Sequence, residues 1–203
     1  MTDEEFAELL ALGYERRGVE FKGPGPRSAA MLFAKVVRAV LGMANHQDGG
    51  LVIIGVDDNA GVLTPSGMTV GDIGTWRYDD VAAGIGTYAD PLVAFDMEAK
   101  THEGRQFIVL DVHEFEEVPV ICKKEYPGVL RPGACYVRTR RKPETSEIPS
   151  QTEMRDLLDL AVNKGLRKFI SRAMAAGLLH SAVPTATPSD ADAYTTQLGD
   201  LLT

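Results

Sequence analysis

Gly49-Gly50-Leu51-Val52-Ile53-Ile54-Gly55-Val56-Asp57-Asp58 is the stretch on which the fold turns. Leu51 to Val56 is a continuous apolar run rich in β-branched residues, so a central strand buried on both faces is expected there. Asp48-Gly49-Gly50 forces a turn ahead of it, and Asp57-Asp58-Asn59-Ala60-Gly61 turns the chain behind it into Val62-Leu63. Upstream, Leu32, Val36, Val40 and Met43 form the stripe of an amphipathic helix running from Ser28 to about Asn45. Before that helix, Gly23-Pro24-Gly25-Pro26 closes a short strand, Arg17 to Lys22. Its alternation sends Val19 and Phe21 inward and Glu20 and Lys22 to the other face. Thr2 to Leu12 reads as a first helix, capped by Thr2 and stopped at Gly13.

Downstream, a helix is expected over Trp76 to Tyr88, and a hairpin joins Leu92–Lys100 to Gln106–Val112. Pro119–Lys124 and Ala134–Thr139 are two further strand candidates. Ser150 with Glu153 makes a capping box opening a helix toward Leu160, and Asn163 starts another to about Leu179. The stretch after Ser181 is rich in Ala, Thr, Ser, Asp and Pro, the composition of a flexible tail. The expected architecture is α+β: a mixed β-sheet with packed helices over residues 1–147, a C-terminal helical pair over 148–180, and a tail over 181–203.

The 203 residues carry 21 Lys+Arg against 29 Asp+Glu, a formal net charge of -8, which argues against a surface coated in basic residues. No apolar run is long enough for a membrane span, and the acidic start, Met1-Thr2-Asp3-Glu4-Glu5, lacks the positive region of a signal peptide. Two cysteines, Cys122 and Cys135, make no disulfide framework. With His102 and His113 they lack the short spacings of a zinc site, so no zinc is expected and the reading is a cytoplasmic protein. No Gly-x-x-x-x-Gly-Lys-Ser/Thr occurs, so no ATP is expected either.

The sharpest chemical constellation is Glu15, Glu20 and Lys22, with the acidic pair Asp57-Asp58 at the end of the neighbouring strand. Carboxylates that converge can hold Mg²⁺ or Mn²⁺ for phosphodiester cleavage, while a Lys stabilises the developing oxyanion. The plain alternative is a solvated strand face with a surface ion pair.

Glu20-Phe21-Lys22, Ala44-Asn45, the Gly49 to Asp58 run, Gly61, Pro91, Pro119 and Tyr136-Val137-Arg138 occur in an order that resembles the Schlafen core, also described as an Alba-type DNA-binding or divergent AAA domain. The resemblance spans about Leu9 to Glu147. It implies a metal-dependent endoribonuclease acting on structured RNA such as tRNA, whose site is two glutamates five apart plus an aspartate. Glu15 and Glu20 have that spacing, and Asp58 is the preferred aspartate, with Asp57 as its alternative. Catalytic roles then fall to Glu15, Glu20, Lys22 and Asp58, and metal ligation to the three carboxylates. The resemblance further implies a homodimer supplying a second lobe, and a role in phage defence. The competing expectation is a non-catalytic nucleic-acid-binding or transcription-regulatory module.

Lys123, Lys124, Arg131, Arg138, Arg140, Arg141 and Lys142 stand against one acid, Glu125, and form the candidate RNA-binding stretch, with DNA as the second class of partner. Leu166, Phe169, Ile170 and Ala173 form a stripe on the last helix that could receive a protein partner.

Overall fold

The computed structural model describes residues 1–59, 61–140 and 142–178. Its chain divides into two units, Met1–Lys164 and Gly165–Thr203. The first unit is built on a four-stranded mixed sheet in the order β1 (Val19–Lys22), β2 (Gly50–Ile54), β7 (Arg105–Val112), β6 (Phe95–His102). β1 runs parallel to β2, with Glu20 opposite Val52, and the other two pairings are antiparallel. The expected central strand is thus β2, and the expected hairpin is β6–β7. The strand is shorter than its apolar run because Gly55 adopts φ +118 and breaks it. Val56 therefore begins a separate ribbon, β3 (Val56–Asn59) with β4 (Val62–Pro65), so Asp57 and Asp58 sit on a strand, not in a turn.

Two helices cover the two faces, and period-two alternation decides what each receives. α1 (Asp3–Ala11) is capped at Thr2 by a full capping box with Glu5. Its Phe6 and Leu10 pack with Val19, Phe21, Ile53, Phe107 and Val109. α2 (Ala30–Ala44) lies on the other side, its Val36, Val37, Val40 and Met43 in one core with Val52, Ile54, Ile108 and Leu110. Each fully buried aliphatic or aromatic side chain in these layers stabilises the fold by roughly 1.5–3 kcal/mol. Val19 and Phe21 do point inward as expected. Glu20, on the opposite side of β1, faces the α2 layer and is itself buried, not solvated.

The remaining elements frame that layer. α3 (Val70–Ile73) and α4 (Tyr78–Gly86) precede the short pair β5 (Ala89–Asp90) and β8 (Ile121–Cys122), and β9 (Tyr136–Arg138) pairs antiparallel with β10 (Thr145–Glu147). Asn45, at the end of α2, joins these pieces: its amide donates to the Val120 and Tyr136 carbonyls at 2.8 and 2.9 Å and its oxygen accepts from Val120 N–H at 2.8 Å. Where a helical pair was expected, one uninterrupted helix runs, α5 (Gln151–Ala175). Asn163 and Gly165 lower helix propensity, at a cost of about 1 kcal/mol for the glycine, without ending the helix. The expected tail lies outside the described residues. Among the described residues no helix is long and apolar enough to cross a membrane.

Candidate functional site

The centre of the site is Arg138, on β9, only 1% exposed. Its Nη1 donates to Glu20 Oε2 at 2.6 Å, its Nε to the Arg17 carbonyl at 2.9 Å, and its Nη2 to the Arg16 and Val19 carbonyls at 3.0 Å each. Glu20 completes its coordination with Thr145 Oγ1, 2.5 Å from Oε2, and Lys22 Nζ, 2.5 Å from Oε1. Burial alone would push the Glu20 carboxyl up, but the adjoining Lys22 and Arg138 charges outweigh it and hold the group below its ordinary value. Gly42 on α2 makes room for this arrangement: a Cβ there would come within 2.6 Å of the Thr145 side chain.

Glu15 folds back onto the same strand. Its Oε1 accepts from Phe21 N–H at 2.9 Å, and its Oε2 lies 3.7 Å from Arg138 Nη2. Here burial dominates and raises the carboxyl above its ordinary value, with the Phe21 amide bond opposing. Glu15, Glu20 and Lys22 are therefore brought together, with Arg138 as the unexpected fourth member.

The aspartates behave differently. Consecutive on β3, they point to opposite sides. Asp57 Oδ2 accepts from Ser66 Oγ at 2.6 Å, and its Oδ1 would lie 3.4 Å from a Cβ at Gly23, at the end of β1. Asp58 Oδ1 is turned to Gly61 N–H at 2.8 Å. The oxygen-only donor set suits Mg²⁺ or Mn²⁺ in chemistry. In arrangement it does not: both Glu20 oxygens already carry donors, one oxygen each of Glu15 and Asp58 is held by a backbone amide, and among the described residues no three His, Cys, Asp or Glu side chains are grouped to hold a metal.

The basic stretch is divided. Lys123 and Lys142 are exposed, and Lys124 stands 5.7 Å over the Tyr88 ring. Arg131 forks onto Glu147, with contacts at 3.0 and 2.6 Å, and Arg140 pairs with Asp156 at 2.8 Å. Arg138 is interior and cannot reach a phosphate, and Arg141 lies outside the described residues. The sequence reading passed over Arg16 and Arg17, which are exposed immediately after Glu15, beside Tyr14 at 57% exposure. Their adjacency to Glu15 in the chain was the available signal; the grip of Arg138 on their carbonyls comes from a strand more than a hundred residues away.

A cavity of about 90 Å³ opens beside the buried guanidinium, lined by Arg17, His46, Arg138 and Arg140 with Glu153 and Asp156. His46 Nδ1 lies 2.9 Å from the Gly49 carbonyl, and burial holds its pKa below the ordinary value. The neutral ring therefore donates from Nδ1 and leaves Nε2 as an acceptor. The largest cavity, about 740 Å³ under α1, contains none of Glu15, Glu20 or Lys22. Both thiols are free, and burial raises Cys122 and pushes Cys135 up to about 11, so neither is a thiolate at neutral pH.

A mixed sheet with a buried Glu-x-Lys strand facing a Tyr-Val-Arg strand defines the class. The chain belongs to the Schlafen, AlbA_2 family, whose profile matches residues 15–146. No curated protein matches it. Among solved structures it is similar to the DIP2311 protein from Corynebacterium diphtheriae, at 20% identity and a TM-score of 0.50 over 71% of this chain and 26% of that one. The N-terminal domain of a RecG-related protein from Nitrosomonas europaea aligns at 21% identity and a TM-score of 0.46, over 65% of this chain and 88% of that one. The chain thus spans about a quarter of the length of the Corynebacterium protein.

Proposed function

We propose that the chain is a nucleic-acid-binding domain that takes structured RNA along the Tyr14 to Arg17 segment. The observation that carries this reading is the double hold of Arg138 on the Arg16 and Arg17 carbonyls. A basic segment whose backbone is pinned from inside presents its guanidinium groups with less ordering left to do on binding. Arg16 and Arg17 supply phosphate contacts, and the exposed Tyr14 ring supplies a stacking platform. Titrating the protein with labelled tRNA across a salt series tests this. Arg16→Ala with Arg17→Ala should weaken binding and flatten the slope of log K against log salt by roughly one to two units. An unchanged slope would count against the segment, and a duplex DNA arm separates RNA from general phosphate binding.

A second reading is favoured by the carboxylate pair. Glu15 and Glu20 share one strand, and their environments drive their pKa values in opposite directions, the pattern by which acid and base roles separate. On this reading the domain is a divalent-metal-dependent endoribonuclease, and Mg²⁺ or Mn²⁺ must compete with Lys22 and Arg138 for Glu20. Glu15→Gln is the discriminating variant, because the amide oxygen can still accept from Phe21 N–H. Incubation of tRNA with protein and Mn²⁺ should then give cleavage by the wild type and none by Glu15→Gln. Absence of cleavage by the wild type would leave binding as the function.

A further inference from the structure

The apolar side chains that α5 leaves in solvent follow a strict spacing of four: Met154, Leu158, Val162, Leu166, Ile170 and Met174, with Phe169 beside them, all between 37% and 66% exposed. The opposite face is engaged, with Leu157 buried and Lys164 paired to Glu114 at 3.2 Å. Contiguous apolar surface of this kind marks a site of association. Side chains four apart build a single ridge, and such ridges interdigitate with one another in the commonest class of helix packing, crossing near −50°.

The row is also its own complement. Met154 and Met174, Leu158 and Ile170, and Val162 and Leu166 stand at equal distances on either side of residue 164. Turned end for end, the ridge presents the same pattern, which is the requirement for an isologous two-fold contact. Charge sets the direction. The half from Glu153 to Asp159 holds three acids and one base, whereas Lys164, Arg167, Lys168 and Arg172 hold the other half without an acid. Asp159 and Arg167 border the same side of the row, and neither has an ion-pair partner among the described residues. An antiparallel pair places Asp159 against Arg167 of the second copy, twice. A parallel pair would set the basic halves against each other.

We propose that α5 is a homodimerisation helix that pairs antiparallel with α5 of a second copy of this chain. The pairing places two RNA-binding domains in one particle, and it is measured without RNA, so its failure is distinct from failure of the RNA-binding reading. Light scattering on the full chain over a concentration series should give a dimer. Leu166→Glu, an exposed position, should give a monomer with unchanged helix content by circular dichroism. Asp159→Arg should weaken the dimer, and adding Arg167→Asp should restore it. Under oxidation, a mixture of Val162→Cys and Leu166→Cys chains should cross-link faster than either alone. A wild type that stays monomeric, a Leu166→Glu variant that stays dimeric, or Val162→Cys linking fastest to itself would each overturn the proposal.

Discussion

Glu20→Ala should destabilise the domain by about 3–5 kcal/mol, because it strands a buried cation. Arg138 is 1% exposed, so water cannot replace the lost carboxylate, and its carbonyl acceptors at Arg16, Arg17 and Val19 carry no compensating charge. Thr145 and Lys22 lose their acceptor in the same step. Urea titration of both proteins would measure the difference. The double variant Glu20→Ala/Arg138→Met should be less unstable than the sum of the singles, since removing both charges removes the penalty of leaving one unpaired. A loss below about 1 kcal/mol for Glu20→Ala would mean that the ion pair is not what organises the site. The pH dependence has a definite sign. Glu20's folded pKa is depressed, so its stabilising contribution is present above the unfolded carboxylate value and is lost as pH falls through the folded one. The wild type should therefore lose stability in that acid window and Glu20→Ala should lose less.

Gly49→Ala is expected to cost about 3 kcal/mol or more, or to abolish soluble expression. Gly49 sits at φ +73 where α2 turns into β2, and a Cβ there would lie 2.0 Å from the Val112 carbonyl oxygen. Two penalties combine: the left-handed backbone, about 1–2 kcal/mol for a residue with a Cβ, and a clash with backbone that cannot rotate away. Gly128→Ala is the control. It has a similar φ, +74, with open space around the added carbon, so it should show the backbone penalty alone. Comparable melting temperatures for the two variants would show that the close approach at Val112 relaxes at little cost.

The sheet was readable from the chain because its signals are local. The apolar run at Leu51 to Val56 and the alternation at Val19 to Lys22 report burial through nearest neighbours. Glu20 shows where that ends. Its period-two placement was right, yet solvation of its face was not, because α2 and the β9–β10 pair cover it from segments remote in sequence. Thr145 and Gly42 carried no local signal at all. α3, four residues long, and β10, three residues long, are too short to show a period, and the apparent break at Asn163 reflected propensity that helix continuity overrode. Of the expected site, Glu15, Glu20 and Lys22 meet, while Asp58 is turned to its own hairpin. Which aspartate faces β1 depends on the kink at Gly55, which no spacing rule contains.

β1 is the outer strand of its sheet, and its outward backbone groups belong to Val19 and Phe21. Val19 N–H reaches the Arg16 carbonyl, Val19 C=O accepts from Arg138, Phe21 N–H donates to Glu15, and Phe21 C=O accepts from Lys22. The charged residues of the site thus close the strand against any incoming strand, leaving no template for edge-to-edge growth. Substitutions made there to probe chemistry will also unseal the sheet, and aggregation through β1 is the side effect to watch for when their activity is compared.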